Sequence, residues 1–266
     1  MKPKHTLIHV SDMHIGKGPM HDGVVEKLLL HIGKTYPKDT LLFVTGDITS
    51  DSDEEQYQRA AEMLEPFRER ILIAPGNHDY AVDKRSVLFS ERAMERFETH
   101  MTRRFGMLGS YLGRNAPIME DFHEQKILAL GVDSNRETKS PLDFNRGCVG
   151  EPQISLLREQ LKNPYYDENG YLKVVYFHHR PIDFAGPVET IMGLDDKEEF
   201  LDDARGADLV LFGHRHQKEI IRNRHGIGVL VGAPPAFEGE YVEIGVFDDN
   251  HIDATPRVLV TKEPNQ

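Results

Sequence analysis

Leu209-Val210-Leu211-Phe212-Gly213-His214-Arg215-His216 joins a short run of bulky apolar residues to a glycine and two histidines. An apolar run of that kind predicts a strand buried on both faces, and the glycine after it permits a tight turn. On extended chain, residues two apart point the same way, so His214 and His216 face one point while Arg215 faces away. Such a pair suits a metal ion.

The same ending recurs along the chain. Leu7-Ile8-His9-Val10 runs into Ser11-Asp12-Met13-His14, which again spaces a carboxylate and an imidazole at i and i+2. Leu41-Leu42-Phe43-Val44 runs into Thr45-Gly46-Asp47, and Ile71-Leu72-Ile73-Ala74 into Pro75-Gly76-Asn77-His78-Asp79. The Pro-Gly pair predicts a type II turn with Gly76 at positive φ. Leu172-Lys173-Val174-Val175-Tyr176-Phe177 ends in His178-His179-Arg180-Pro181. Adjacent histidines on extended chain face opposite ways, so at most one of them reaches a common centre.

Helical spacing over 24–31, 51–65, 151–161 and 197–205 places helices between these strands, with Ser52 or Asp53 as an N-cap and Pro152 in a first turn. Residues 126–133 begin a second set of strands, with Asn135 and Arg136 beyond its end as candidate substrate contacts. Residues 227–231, 241–247 and 256–260 alternate and are read as antiparallel strands of a second sheet. The charged stretch 83–114 has helical spacing of Val87, Leu88, Met94, Phe97, Met101, Phe105 and Leu108, interrupted by Gly106, Gly109 and Gly113. It is read as a helical insertion over or beside the site, within one domain spanning 1–266. His100 and His123 follow no strand and are expected to be surface or packing residues.

At 266 residues the chain can bury a sizeable core. Its net charge of −12 argues against nucleic acid as a partner, because non-specific affinity for phosphate backbones is carried mostly by Lys and Arg. Cys148 is the single cysteine, so an internal disulfide framework is excluded and the residue is read as a small core filler. No apolar run approaches the ~20 residues of a membrane span, and residues 1–5 lead into a strand without the apolar region of a signal peptide. A soluble, cytoplasmic protein is expected, with homo-oligomers left open.

In open α/β sheets, ligands bind outside the carboxyl ends of the strands. Asp12, His14, Asp47, Asn77, one of His178 and His179, His214 and His216 all fall at that place on separate runs. Carboxylate, amide oxygen and imidazole without thiolate suit Mn, Fe or Zn. If Asp47 bridges, these side chains provide four ligands to each of two divalent metal ions and leave positions open for water and substrate.

Asp12-x-His14, Gly46-Asp47, Gly76-Asn77-His78-Asp79, His179 and Gly213-His214-x-His216, in that order, resemble the signature of the calcineurin-like metallophosphoesterases over about residues 7–216. The resemblance implies an α/β fold, a four-layer αββα sandwich of two mixed sheets flanked by helices. It assigns Asp12, His14, Asp47 and His216 to one ion, and Asp47, Asn77, His179 and His214 to the other. His179 is taken over His178 because it stands two residues before Pro181. His78 and Asp79 are the implied catalytic residues, His78 protonating the leaving oxygen or stabilising charge on phosphorus, and Asp79 fixing the His78 ring.

The implied reaction is hydrolysis of a small phosphate ester by attack of a metal-bound hydroxide, most similar to the phosphodiesterases of cyclic nucleotides or glycerophosphodiesters. A phosphomonoesterase or nucleotide pyrophosphatase on the same centre, or a non-catalytic metal-binding scaffold, is the alternative.

Overall fold

The computed structural model describes residues 2–81, 88–138, 140, 143–183, 192–248 and 251–259. β1 (His5–Val10), β2 (Leu41–Thr45) and β3 (Ile71–Ala74) are parallel neighbours, linked through α1 (Pro19–Thr35) and α2 (Glu54–Leu64). Each strand is a run of bulky apolar residues, and each helix starts as its sequence dictates. Pro19 occupies the first turn of α1, where a missing N–H costs nothing, and the Asp53 carboxylate accepts from Glu55 N at 2.9 Å as the N-cap of α2.

α3 (Glu91–Phe97) continues as a wider helical turn over Glu98–Arg103. β4 (Ile118–Phe122), β5 (Ile127–Gly131), α4 (Glu151–Leu161), α5 (Pro164–Glu168), β6 (Leu172–Tyr176), α6 (Lys197–Asp203) and β7 (Leu209–Phe212) follow. β8 (Glu219–Arg224), β9 (Ile227–Gly232), β10 (Glu240–Val246) and β11 (Ile252–Val258) complete the order.

The strands form a five-stranded sheet, β11-β10-β1-β2-β3, and a six-stranded sheet, β4-β5-β6-β7-β9-β8. Both are mixed: β10 and β11 are antiparallel additions to the first, and β4 and β8 antiparallel edges of the second. Side chains on the second sheet alternate between two cores. Ile127, Ala129, Val174, Tyr176, Leu209 and Leu211 share the core with Leu7, Leu41 and Phe43 of the first sheet, and the rings of Phe43 and Tyr176 meet at 5.4 Å. Leu128, Leu130, Val175, Val210 and Leu230 pack with Ile154 and Leu157 of α4 and Phe200 of α6. Helix, sheet, sheet and helix therefore stack as expected. Among the described residues no helix is long and apolar enough to cross a membrane.

Several expectations are corrected. The late strands do not form an antiparallel sheet of their own: β9 lies parallel beside β7, and β10 with β11 extends the first sheet through β1. β4 and β8 escape the apolar-run criterion because edge strands carry solvent-facing polar residues, such as Asp121 and Arg222. Gly76 is not at positive φ, so no type II turn forms there. In the 83–114 stretch, Val87 lies outside the described residues, and Leu108 is 71% exposed rather than inward. Phe97 packs on Tyr57 of α2 at 6.4 Å, and Arg96 donates to the Ser52 carbonyl at 3.0 Å, which seats this stretch beside α2.

Candidate metal centre

The first sheet sends out Asp12, His14, Asp47 and Asn77 just beyond the carboxyl ends of β1, β2 and β3, and the second sends His178, His214 and His216 beyond β6 and β7. The polar atoms of Asp12, His14, Asp47, His178, His214 and His216 meet. Asp12 Oδ1 lies 3.2 Å from His216 Nε2, which lies 3.3 Å from His14 Nε2. Asp47 Oδ2 lies 3.7 Å from His14 Nε2 and 3.2 Å from His178 Nε2, and His178 Nε2 lies 3.2 Å from His214 Nδ1. Asp47 thus stands between an Asp12, His14 and His216 group and a His178 and His214 group.

The convergence is not produced by extended chain. Asp12, His14, Asp47, His214 and His216 all have left-handed backbone, with φ of 54°, 46°, 51°, 71° and 50°. That conformation costs about 1–3 kcal/mol per residue and is found where surrounding contacts enforce it at functional sites. Here Asp12 N donates to Gly46 O at 3.1 Å, His14 N to Asp47 O at 2.9 Å, and His214 N to Asp12 Oδ2 at 3.2 Å. The glycines admit this packing. A Cβ on Gly213 would fall 1.8 Å from Ser11 Oγ, and one on Gly76 would fall 2.3 Å from Asp47 N. Close approach, rather than a turn, is what position 76 requires. Gly46, at φ 83°, needs both freedoms, because a Cβ there would also meet Gly76 N at 2.7 Å.

His178, and not His179, reaches Asp47. Residues 172, 174 and 176 of β6 face the first sheet, and the same alternation carries His178 inward. Its Nδ1–H donates to Thr45 O at 2.7 Å, and that carbonyl also accepts from Ser11 Oγ at 2.9 Å. His179 packs alongside, its ring 4.6 Å from that of His214 and its Nδ1 2.9 Å from Ser134 Oγ.

His78 lies 4.7 Å from the His14 ring, and its Nδ1–H donates to the Ser50 carbonyl at 2.8 Å. Asp79 does not fix that ring. Its carboxylate accepts from Ile48 N, Thr49 N, Thr49 Oγ1 and Gly76 N, tying the loop after β2 to the loop after β3. Burial raises the pKa of Asp79 to about 6.

Burial and the neighbouring carboxylates push these imidazoles in different directions. Burial pulls His14 down to about 4 and His214 down to about 3, and it holds His179 well below its ordinary value. Burial also opposes the charge on His178, yet the neighbouring Asp47 carboxylate outweighs it and raises that pKa to about 9. Asp47 is itself held well below the usual carboxylate range by His178 and His78, despite its burial.

The remaining sequence candidates are accounted for. Asn135 is buried with its amide on Asp133 Oδ1 at 2.9 Å, and Arg136 pairs with Asp195 at 2.5 Å. His100 pairs with Glu54 at 2.6 Å and His123 with the Tyr171 hydroxyl at 2.7 Å, so both are packing residues. Cys148 is half-buried near Asp196, with its thiol pushed up to about 11 by burial. Contacts that the sequence did not signal include Phe144, at 4.9 Å from the His78 ring, and Phe237, at 5.3 Å from His216 and 5.6 Å from His14. A lone aromatic has no signature before its neighbours are known.

Fold and site together define a sheet-end centre built for divalent cations. The sequence profile of the calcineurin-like phosphoesterases matches residues 5–218, and the chain belongs to that family. It is 25% identical to a probable cyclic nucleotide phosphodiesterase of Rhodococcus erythropolis, over 81% of this chain and 66% of that relative. It is 26% identical to the 3',5'-cyclic adenosine monophosphate phosphodiesterase CpdA of Haemophilus influenzae, over 88% of this chain and 77% of that protein. The fold is shared with a dimetal phosphatase from Danio rerio at a TM-score of 0.65 and 13% identity, covering 97% of this chain and 98% of the other.

Proposed function

We propose that this chain is a cytoplasmic phosphodiesterase working with two divalent ions, drawn from Mn, Fe and Zn, on small diesters of the cyclic nucleotide or glycerophosphodiester type. The convergence of Asp12, His14, Asp47, His178, His214 and His216 carries the reading. Unpaired buried atoms beside it support the fit: both Asn77 amide atoms have no hydrogen-bond partner. Buried polar atoms are rarely left so unless a ligand or ion satisfies them.

Asp12, His14, Asp47 and His216 would hold one ion, and Asp47, Asn77, His178 and His214 the other. When bound, the ions supply charge opposite the phosphoryl oxygens and a water of lowered pKa. The chain supplies the rest. Asp47 joins the two halves of the centre. His78, with Nδ1–H committed to Ser50, directs Nε2 toward substrate and delivers a proton there to the departing oxygen. Phe144 and Phe237 wall the cleft beside His78 and His216 and limit the entry of bulk water. Asp79 acts as a brace that keeps Asn77 and His78 in register with β2.

Relatives named as cyclic nucleotide phosphodiesterases support diesters over monoesters. The test is parallel hydrolysis of bis-p-nitrophenyl phosphate, cyclic nucleotides, glycerophosphodiesters and monoesters by chelated protein reloaded with Mn²⁺. Faster turnover of diesters is expected; monoester turnover alone would replace the reading with a phosphomonoesterase, and none at all with a binding scaffold.

A further inference from the structure

Asp195 lies outside the cluster, on the segment before α6, yet it grips residues 144–147, a strap that touches His78 and His214. Its two oxygens pair with different guanidiniums, Oδ2 with Arg136 at 2.5 Å and Oδ1 with Arg146. Its backbone N–H donates to Gly147 O at 2.8 Å, and Gly147 N donates back to Gly193 O at 3.2 Å. The strap therefore has two anchors to one short segment, the backbone bridge at Gly147 and the Arg146–Asp195 pair.

What the strap presents is a carbonyl. Asn145 O, one residue before Arg146, accepts from His214 Nε2–H at 3.0 Å. That bond fixes the tautomer of His214 and leaves Nδ1 bare toward His178 and Asp47. A ligand histidine gains basicity and a fixed orientation from such a partner, and loss of the partner typically costs about 10–100-fold in metal affinity. Phe144, on the same strap, covers His78 at 4.9 Å.

We infer that Asp195 is a positioning residue for the ion held by His214, acting through Arg146 and the Asn145 carbonyl. This inference rests on the reading of His214 as a ligand. It requires an asymmetry: the ion on the His214 side depends on Asp195, whereas the ion held by Asp12, His14 and His216 does not, because nothing on the strap touches those three among the described contacts.

The experiment is metal titration of the chelated 266-residue chain with Mn²⁺, followed by chelator competition, for wild type, Asp195→Ala, Asp195→Glu and Asp203→Asn. The last variant breaks the Arg158–Asp203 pair at the outer helices and reports what a loss of surface pairing alone does. Asp195→Ala is expected to weaken one of two ions about tenfold, with the other unchanged and partial recovery in Asp195→Glu. Equal weakening of both ions, no weakening of either, or the same pattern in Asp203→Asn would overturn the role of Asp195. If wild type itself binds no pair of ions, the underlying reading of the centre has failed instead. Should Asp195→Ala not fold, Arg146→Gln tests the same link and is expected to show the same asymmetry.

Discussion

Asp47 Oδ2 lies 3.2 Å from His178 Nε2, and the two residues come from different sheets. The same oxygen lies 3.7 Å from His14 Nε2, so one carboxylate joins the two halves of the centre. Asp47→Asn is therefore expected to lose both ions together and to lower kcat/KM more than about 100-fold. Metal analysis of the purified variant checks this, since retention of one ion would show that Asp47 serves only one site.

Metal uptake should release a proton. In the metal-free protein the Asp47 carboxylate and the Thr45 carbonyl, working against burial, hold His178 charged up to a pKa of about 9. A cation on Asp47 removes that partnership and expels the proton, so apparent affinity rises with pH below about 9, roughly tenfold per unit for one proton, and levels off above. Calorimetric titrations in buffers of different ionisation enthalpy count the protons. A count of zero at neutral pH would mean that His178 is already neutral.

His78 separates chemistry from binding. If it protonates the leaving oxygen, His78→Ala lowers kcat by about 10²–10⁴-fold on an alkoxide leaving group and far less on p-nitrophenolate, which needs no proton. Equal losses on both substrates would assign the residue to charge stabilisation alone.

Gly213 is a packing requirement of the centre. A Cβ there would overlap Ser11 Oγ, which is engaged with Thr45 O. Gly213→Ala is expected to cost about 1–3 kcal/mol, read from the urea midpoint, with weakened metal binding as β1 and β7 separate. An unchanged midpoint would show that Ser11 moves aside freely.

Much of this architecture is legible in the sequence because buried parallel strands are written as unbroken apolar runs, and the chemistry follows each run directly. Asp12, His14, Asp47, Asn77, His214 and His216 were all locatable that way. What was not legible depends on neighbours distant in sequence. Which sheet β9 and β10 join is set by β7 and β1, both distant in sequence, and the polar edges β4 and β8 lack the run. The i, i+2 spacing groups residues whose side chains do lie together, but left-handed backbone rather than extended chain aims them. The alternation of Leu172, Val174 and Tyr176 points His178 toward the first sheet, whereas the spacing to Pro181 favours His179. Backbone carbonyls such as Asn145 O and Ser50 O carry no signature at all, because every residue type has one.

The most direct test is the anomalous difference map of crystals grown with Mn²⁺. Two peaks about 3.5–4 Å apart are predicted, with Asp47 between them, Asp12, His14 and His216 around one, and Asn77, His178 and His214 around the other. A single peak, or a pair whose ligands omit Asp47, would contradict the account.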